Sequence, residues 1–449
     1  MTYIDGKWRQ DLHLEPPMGW MNDPNGLCYF NGYYHVYFQY TPASATGNGD
    51  RLWGHYRSKD LLSFEFCGTV LFQDTPEDRN GVYSGSAMVV GDTLHLFYTG
   101  NVKEPGNHDY IKSGRGANVI HVTTKDGDTM SAKQVQLRNA DYPDFCSNHV
   151  RDPKIWREND KWNMVLGARS LDDKGLVLFY QSDDLQEWTY TGCDSIEDFG
   201  YMWECPDLLT VAGHRYLSLS PQGLPHGEYD NQNVYSSGYF SYDDKLTDFR
   251  EWDKGFDFYA PQTFVTPDDR RIIIGWMGIG DIPYTNPTVE LGYQHCLTLP
   301  RVVTRDEDGV LLQQPIREIN NLRGQGLEVT SGSKITTSLA FDLTAKVSGP
   351  FEVTIADGLV ISWDGKVASL TFSDKSMGCG RDIRKALLST CSDIRVIADK
   401  SSVEAYFDQG RVVFSTRMYP DSDQVSLEIN GEDAIVYPLK AMEVKYLGK

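Results

Sequence analysis

One layout returns five times in the first 280 residues of this 449-residue chain, and it restricts the fold more than any other feature. The first copy reads "DPNGLCYFNGYYHVYFQY" (23–40): a polar head, a short apolar run, a two-residue turn and a second aromatic-rich run. Copies follow as "SGSAMVVGDTLHLFYTG" (84–100), "DPKIWRENDKWNMVLGAR" (152–169), "ECPDLLTVAGHRYLSLSP" (204–221) and "APQTFVTPDDRRIIIGWMG" (260–278). Each reads as a β-hairpin, with turns at Asn31-Gly32, Gly91-Asp92, Asn159-Asp160, Ala212-Gly213 and Asp268-Asp269. Successive heads lie about 50 to 70 residues apart, which leaves room for two further strands per unit. Several units close on a similar phrase, "SKDLLSFEF" (58–66), "SDDLQEWTY" (182–190) and "SYDDKLTDFREW" (241–252). Five units of about four strands suggest a five-bladed β-propeller. A β-sandwich would leave the recurring heads unexplained.

The rest of the chain agrees with an all-β reading. Tyr (26) and Trp (10) are heavily used, and long uninterrupted apolar runs of the parallel-sheet kind are scarce. Near residue 313 the pattern changes. "QQPIREINNLRGQG" (313–326) spaces Ile316, Ile319 and Leu322 as a helix would, and predicts a short helix joining domains. Beyond it, alternation and repeated short turns predict a β-sandwich of roughly a dozen strands. The expected organisation is a propeller over 1–312, a linker with a short helix over 313–325 and a sandwich over 326–449. The sandwich carries none of the acid heads and is expected to supply no catalytic residue.

Charge narrows the partners. With 42 Lys and Arg against 63 Asp and Glu, the net charge is 42 − 63 = −21. That argues against nucleic acid and anionic membrane surfaces and fits a neutral small molecule; a phosphorylated one needs a local basic pocket. No stretch approaches the roughly 18 apolar residues of a membrane span. The opening "MTYIDGKWRQDLHLEPP" has no apolar core of signal-peptide type, so the cytoplasm is the expected location. The eight cysteines (28, 67, 146, 193, 205, 296, 379 and 391) include no Cys-x-x-Cys and no zinc or iron–sulfur spacing. They read as scattered buried thiols in a reducing compartment, and no metal or cofactor is expected.

The heads of units one, three and four carry Asp23, Asp152 and Glu204. Taken alone, "NDPNG" is an ordinary Asp-Pro turn. In a propeller, however, equivalent positions of successive blades face one channel, so acids 129 and 52 residues apart would converge at one mouth. Three carboxylates in one pocket repel one another, and one should be held protonated.

With these motifs in order, the chain resembles glycoside hydrolase family 32, the β-fructofuranosidases or invertase-like enzymes. The resemblance rests on "WMNDPNG" (20–26), "YSGSA" (83–87), "RDP" (151–153), "WECPDL" (203–208), "DFYAPQTF" (257–264), "LTLPR" (297–301) and "DKSSVEAYFDQGRVVFSTRMYP" (399–420). It implies a five-bladed propeller plus sandwich, and retaining hydrolysis of a terminal fructofuranoside without a metal. Asp23 would be the nucleophile and Glu204 the acid/base, kept protonated by repulsion and an apolar wall of Trp203. Cys205 would help set that protonation. Asp152 would grip the sugar's 3- and 4-hydroxyls and steady developing positive charge, while Arg151 either offsets the acidic cluster or forms a structural ion pair. By motif position, Asn22, Gln39, Tyr83, Ser84, Tyr259 and Trp276 would line the pocket; ordinary core is the alternative for each, more so for the two tyrosines and Trp276.

One stretch departs from the family pattern. "TPASATGNGDRLWGHYRSKDL" (41–61) has Gly and Asn where many members place a pocket tryptophan, leaving Trp53 as the candidate and the leaving-group wall open. The resemblance favours intracellular bacterial members acting on sucrose or sucrose 6-phosphate, with Arg51, Arg57 and Lys59 as candidate phosphate cations. Fructan exohydrolase, fructosyltransferase, and a non-catalytic fructoside-binding propeller are the alternatives. Homo-oligomerisation through the sandwich is a further expectation.

Overall fold

The computed structural model describes residues 3–447. Five antiparallel sheets each begin with an inner strand: Gly19–Phe30, Val82–Val90, Cys146–Glu158, Met202–Val211 and Tyr259–Val265. Each inner strand packs on the next and the fifth packs on the first, so the sheets form a closed five-bladed propeller. Tyr293–Gln294 returns from blade five and pairs in parallel with Gly19 and Trp20 of blade one, which fastens the ring.

The turns follow from the residues that make them. Asn31-Gly32, Asn159-Asp160 and Ala212-Gly213 hold both central residues at positive φ, the conformation that matches a hairpin's twist. Around Asp268-Asp269 the strands separate earlier, and the connection widens to 266–270. The closing phrases are also explained. Ser58 Oγ accepts from the amide of Leu61 (2.8 Å) and Asp60 from that of Ser63 (2.7 Å). Ser182 and Asp184 do the same with Leu185 and Glu187 (2.9 and 3.1 Å). In blade two, Thr124 and Asp126 hold Gly127 and Thr129 in the same way (3.0 and 2.7 Å). This side-chain turn leads into the fourth strand of three blades.

At the head of every inner strand the pairing register slips. The two residues that escape the ladder are Asn22-Asp23, Tyr83-Ser84, Asp152-Pro153, Cys205-Pro206 and Ala260-Pro261. A bulge bends its strand and re-aims side chains. Here five bulges stand at one end of the central channel. Asp152, Cys205 and Ala260 adopt φ of 64°, 49° and 48°, each directly before a proline. Such a conformation costs on the order of 1–3 kcal/mol per residue and persists only where the surroundings enforce it.

The second domain is a β-sandwich of two six-stranded sheets. Its core includes Leu343, Val353, Leu370, Val396, Ala405 and Leu427, all buried. Two boundaries differ from expectation. The strand Leu311–Pro315 pairs with Arg301–Arg305 and carries blade five past residue 312, because alternation in "VLLQQP" already buries Leu311 and Gln313. At the other end, Glu443–Tyr446 leaves the sandwich and adds a parallel strand to the outer edge of blade one. The connector is a 3-10 helix, Arg317–Leu322, that buries Ile319.

Where the domains meet, charge is buried but paired. Glu404 accepts from Arg301 Nη2 (2.6 Å) and lies 2.9 Å from His13 Nε2, whose Nδ1 lies 2.8 Å from Asp399. Arg381 makes a two-pronged pair with Asp257, both contacts 2.8 Å. The eight cysteines are free thiols, five of them buried and Cys193 exposed. Among the described residues no helix is long and apolar enough to cross a membrane.

Candidate active site

The bulged strand heads open into a cavity of about 450 Å3 lined entirely by propeller residues. Asp23, Asp152 and Glu204, from blades one, three and four, all reach it. Their meeting point is Cys205. Its Sγ lies 3.7 Å from Asp23 Oδ2 and 3.6 Å from Asp152 Oδ2, and its amide donates to the same Asp152 oxygen at 2.8 Å.

Asp23 is held from both sides. Oδ2 accepts from Ser84 Oγ (2.5 Å) and Oδ1 from Asn22 Nδ2 (3.1 Å). The Asn22 amide is oriented in turn by Gln39 Oε1 (2.6 Å) and by the indole N–H of Trp20 (2.9 Å). Asn25 fixes the turn: it donates to the Asp23 carbonyl at 3.1 Å and accepts from the Gly85 amide of blade two at 3.0 Å. Burial raises the Asp23 carboxyl above its usual range, while Ser84, Asn22 and Cys205 pull it back.

Glu204 accepts from Arg151 Nη1 on one oxygen (3.2 Å), and from Tyr259 OH (2.8 Å) and Gln222 Nε2 (2.9 Å) on the other. Burial raises it too, opposed by Arg151 and Tyr259 and reinforced by Asp23. Asp152 is pushed up to about 7, first by burial and then by Glu204, against the pull of Arg151. Arg151 therefore pairs with the acid/base candidate and offsets the cluster at once. Burial drives the Cys205 thiol well above its ordinary range, so it stays a neutral donor between two acids.

Several expectations need correcting. Trp203 does not wall Glu204: it alternates to the other face of its strand, is fully buried with Leu217 and Phe240, and donates to the Phe199 carbonyl (2.7 Å). Trp53 is likewise core, fully buried with Tyr37 and Tyr98 and donating to the Tyr83 carbonyl at 3.1 Å. The apolar wall instead comes from Trp20, Tyr235, Tyr259 and Trp276. Trp20, Tyr235 and Gln222 join the expected lining residues; Trp20 belongs to the "WMNDPNG" motif, whereas nothing local marks Gln222 or Tyr235. In the stretch 41–61, Gly47 lines the cavity. At φ +72° its backbone lies against Trp20, and a Cβ there would meet the indole at 3.0 Å.

Of the three candidate cations, Arg51 lines the cavity. Arg57 is spent on Glu65 (2.8 Å), and Lys59 sits over the Tyr33 ring at 5.1 Å. Tyr83 is half-buried, and the desolvation raises its phenol, yet Arg51, Arg151 and Arg115 together pull it below its ordinary value. Three potential metal ligands, His55, Cys67 and Asp128, approach one another within 4.8 Å, but away from this cavity. His35 engages His55 at 2.9 Å, and Arg57 approaches Asp128 at 3.6 Å.

This arrangement has known counterparts. The profile of the "Glycosyl hydrolases family 32 N-terminal domain" matches residues 13–315, and that of the "Glycosyl hydrolases family 32 C terminal" matches 312–444. The sucrose-6-phosphate hydrolase of Bacillus subtilis is 36% identical over 92% of this chain and 89% of its own length. The raffinose invertase of Escherichia coli is 34% identical over 96% and 94%. Among solved structures, the Bombyx mori GH32 beta-fructofuranosidase superposes with a TM-score of 0.85 at 29% identity, covering 98% of this chain and 96% of that one. By both sequence and structure, then, the chain belongs to glycosyl hydrolase family 32.

Proposed function

We propose that the chain is a β-fructofuranosidase that releases the terminal fructosyl residue of sucrose or sucrose 6-phosphate with retention at the anomeric carbon. The observation that carries this reading is the junction at Cys205, where acids from three blades share one cavity. Names of the relatives support it.

Asp23 attacks the anomeric carbon while Glu204 gives its proton to the departing glycosidic oxygen, leaving a fructosyl ester on Asp23. Glu204, now a carboxylate, takes a proton from water, and the water oxygen displaces Asp23. Such a double displacement needs its two carboxyls about 5–5.5 Å apart. Asp152 stays beside the sugar and counters the positive charge that develops on the ring.

Arg51 favours the phosphorylated disaccharide, since it is the one of the three candidate cations placed at the cavity.

The deciding experiment compares fructose release from sucrose, sucrose 6-phosphate and inulin, with the first-formed anomer followed by NMR. β-Fructofuranose should appear first, and Asp23→Ala should lower the rate by several orders of magnitude. Protein that binds fructosides but frees no fructose would overturn the enzymatic reading. A large preference for inulin would replace the substrate.

A further inference from the structure

The central channel has a second mouth. The five inner strands whose heads line the catalytic cavity line, with their opposite ends, another cavity of about 520 Å3. Asp152 and Arg157 mark the two ends along one strand. Five residues at about 3.3 Å each separate them by roughly 16 Å.

Leu27, Val89, Ile155, Leu208 and Phe264 give this mouth an apolar ring. Into it come four cations, Lys154, Arg157, Arg215 and Arg271, against one lining carboxylate, Glu158. In a chain of net charge −21, that is a local reversal of sign.

Three of the cations have carboxylate partners. Lys154 pairs with Asp207 at 3.1 Å, Arg215 with Glu158 at 3.4 Å and Arg157 with Asp160 at 3.6 Å. Arg271 differs. Among the described residues no carboxylate lies within 4.0 Å of it, and Asp207 and Asp269 act on it only from farther away. Its guanidinium has two contacts at the 3.5 Å limit, to Thr263 Oγ1 and the Thr210 carbonyl. Its Nε is buried with no acceptor at all.

A half-buried guanidinium whose Nε has no acceptor and which has no anion beside it is poorly compensated, and its planar fork matches the oxygens of a phosphate group. We propose that this mouth binds a phosphate group, free or as a small phosphate monoester, with Arg271 as the two-pronged anchor and Arg215 adding charge. The cavity is large enough for a hexose phosphate. The site is separate from the catalytic cavity and does not depend on the substrate assignment above.

Calorimetric titration of the full chain with inorganic phosphate and with glucose 6-phosphate tests this, at constant ionic strength and with fructose saturating the catalytic cavity. Both ligands should bind saturably. Arg271→Met and Arg215→Gln should each weaken binding tenfold or more while leaving kcat and KM for sucrose within about twofold. Arg215 is partly exposed, so the second variant answers even if the first fails to fold. Tenfold tighter binding of glucose 6-phosphate would identify the monoester as the occupant; equal affinities would identify phosphate itself. Absence of saturable binding, unchanged affinity in the folded variants, or loss in Arg51→Gln instead would refute the site.

Discussion

The amide of Cys205 donates to Asp152 at 2.8 Å, and this bond joins blade four to blade three. Both residues hold positive φ directly before a proline. Two strained bulges thus brace each other, and their neighbours Arg151 and Glu204, the acid/base candidate, meet at 3.2 Å. Strain at a site enforced from a neighbouring element is a common way of fixing reactive groups in advance.

Asp152 opposes stability near neutral pH. Its folded pKa of about 7 lies above the ordinary 3.8, so its contribution is fully present below pH 3.8 and is lost as pH rises through 7. Asp152→Asn should therefore stabilise the fold at pH 8 by on the order of 1–3 kcal/mol, read as a higher melting temperature, with little change at pH 4. Fructose release should fall by about 10²–10³-fold. Thermal unfolding at the two pH values checks the sign.

Cys205 lowers the Asp23 carboxyl by donating to it. Cys205→Ala should then move the acidic limb of the kcat/KM profile to higher pH, with a loss of about tenfold at the optimum. Cys205→Ser, which keeps a donor, should restore the limb. A pH profile that is identical in all three proteins would count against this coupling.

Trp53 is a core residue. Trp53→Phe removes the donor to the Tyr83 carbonyl and should cost about 1–3 kcal/mol of stability without raising KM for sucrose. Paired denaturation and kinetic measurements separate this from a direct substrate contact, which would raise KM instead.

The domain interface should titrate at both extremes. Asp399 and Glu404 overcome burial and raise His13 to about 9, so its contribution holds below pH 6.5 and is lost as pH rises through 9. Glu404 is buried, yet Arg301 and His13 depress it to about 2, so its share holds above pH 4.5 and is lost as pH falls through 2. Glu404→Gln leaves Arg301 and His13 undercompensated and should cost about 3–5 kcal/mol. Denaturant midpoints across the pH range provide the check.

The sequence alone determined the repeated hairpins and their turns, because a turn's conformation depends on the few residues inside it: Asn31-Gly32 and Ala212-Gly213 fold as their φ preferences require. It also marked Asp23, Asp152 and Glu204, since each stands at the head of a repeat. Tertiary structure decided which neighbours face the cavity. Trp203 is expected beside the site as the neighbour of Glu204, and Trp53 as the tryptophan left in a stretch that departs from the family pattern, yet strand alternation and burial between blades make both core. Gln222, Tyr235 and Arg115 reach the site region or its charge network only because the ring brings separate blades together, and no local pattern encodes that approach. The same holds for the lone guanidinium of Arg271: whether a charge finds a partner is a property of packing across strands, which spacing along one strand cannot express.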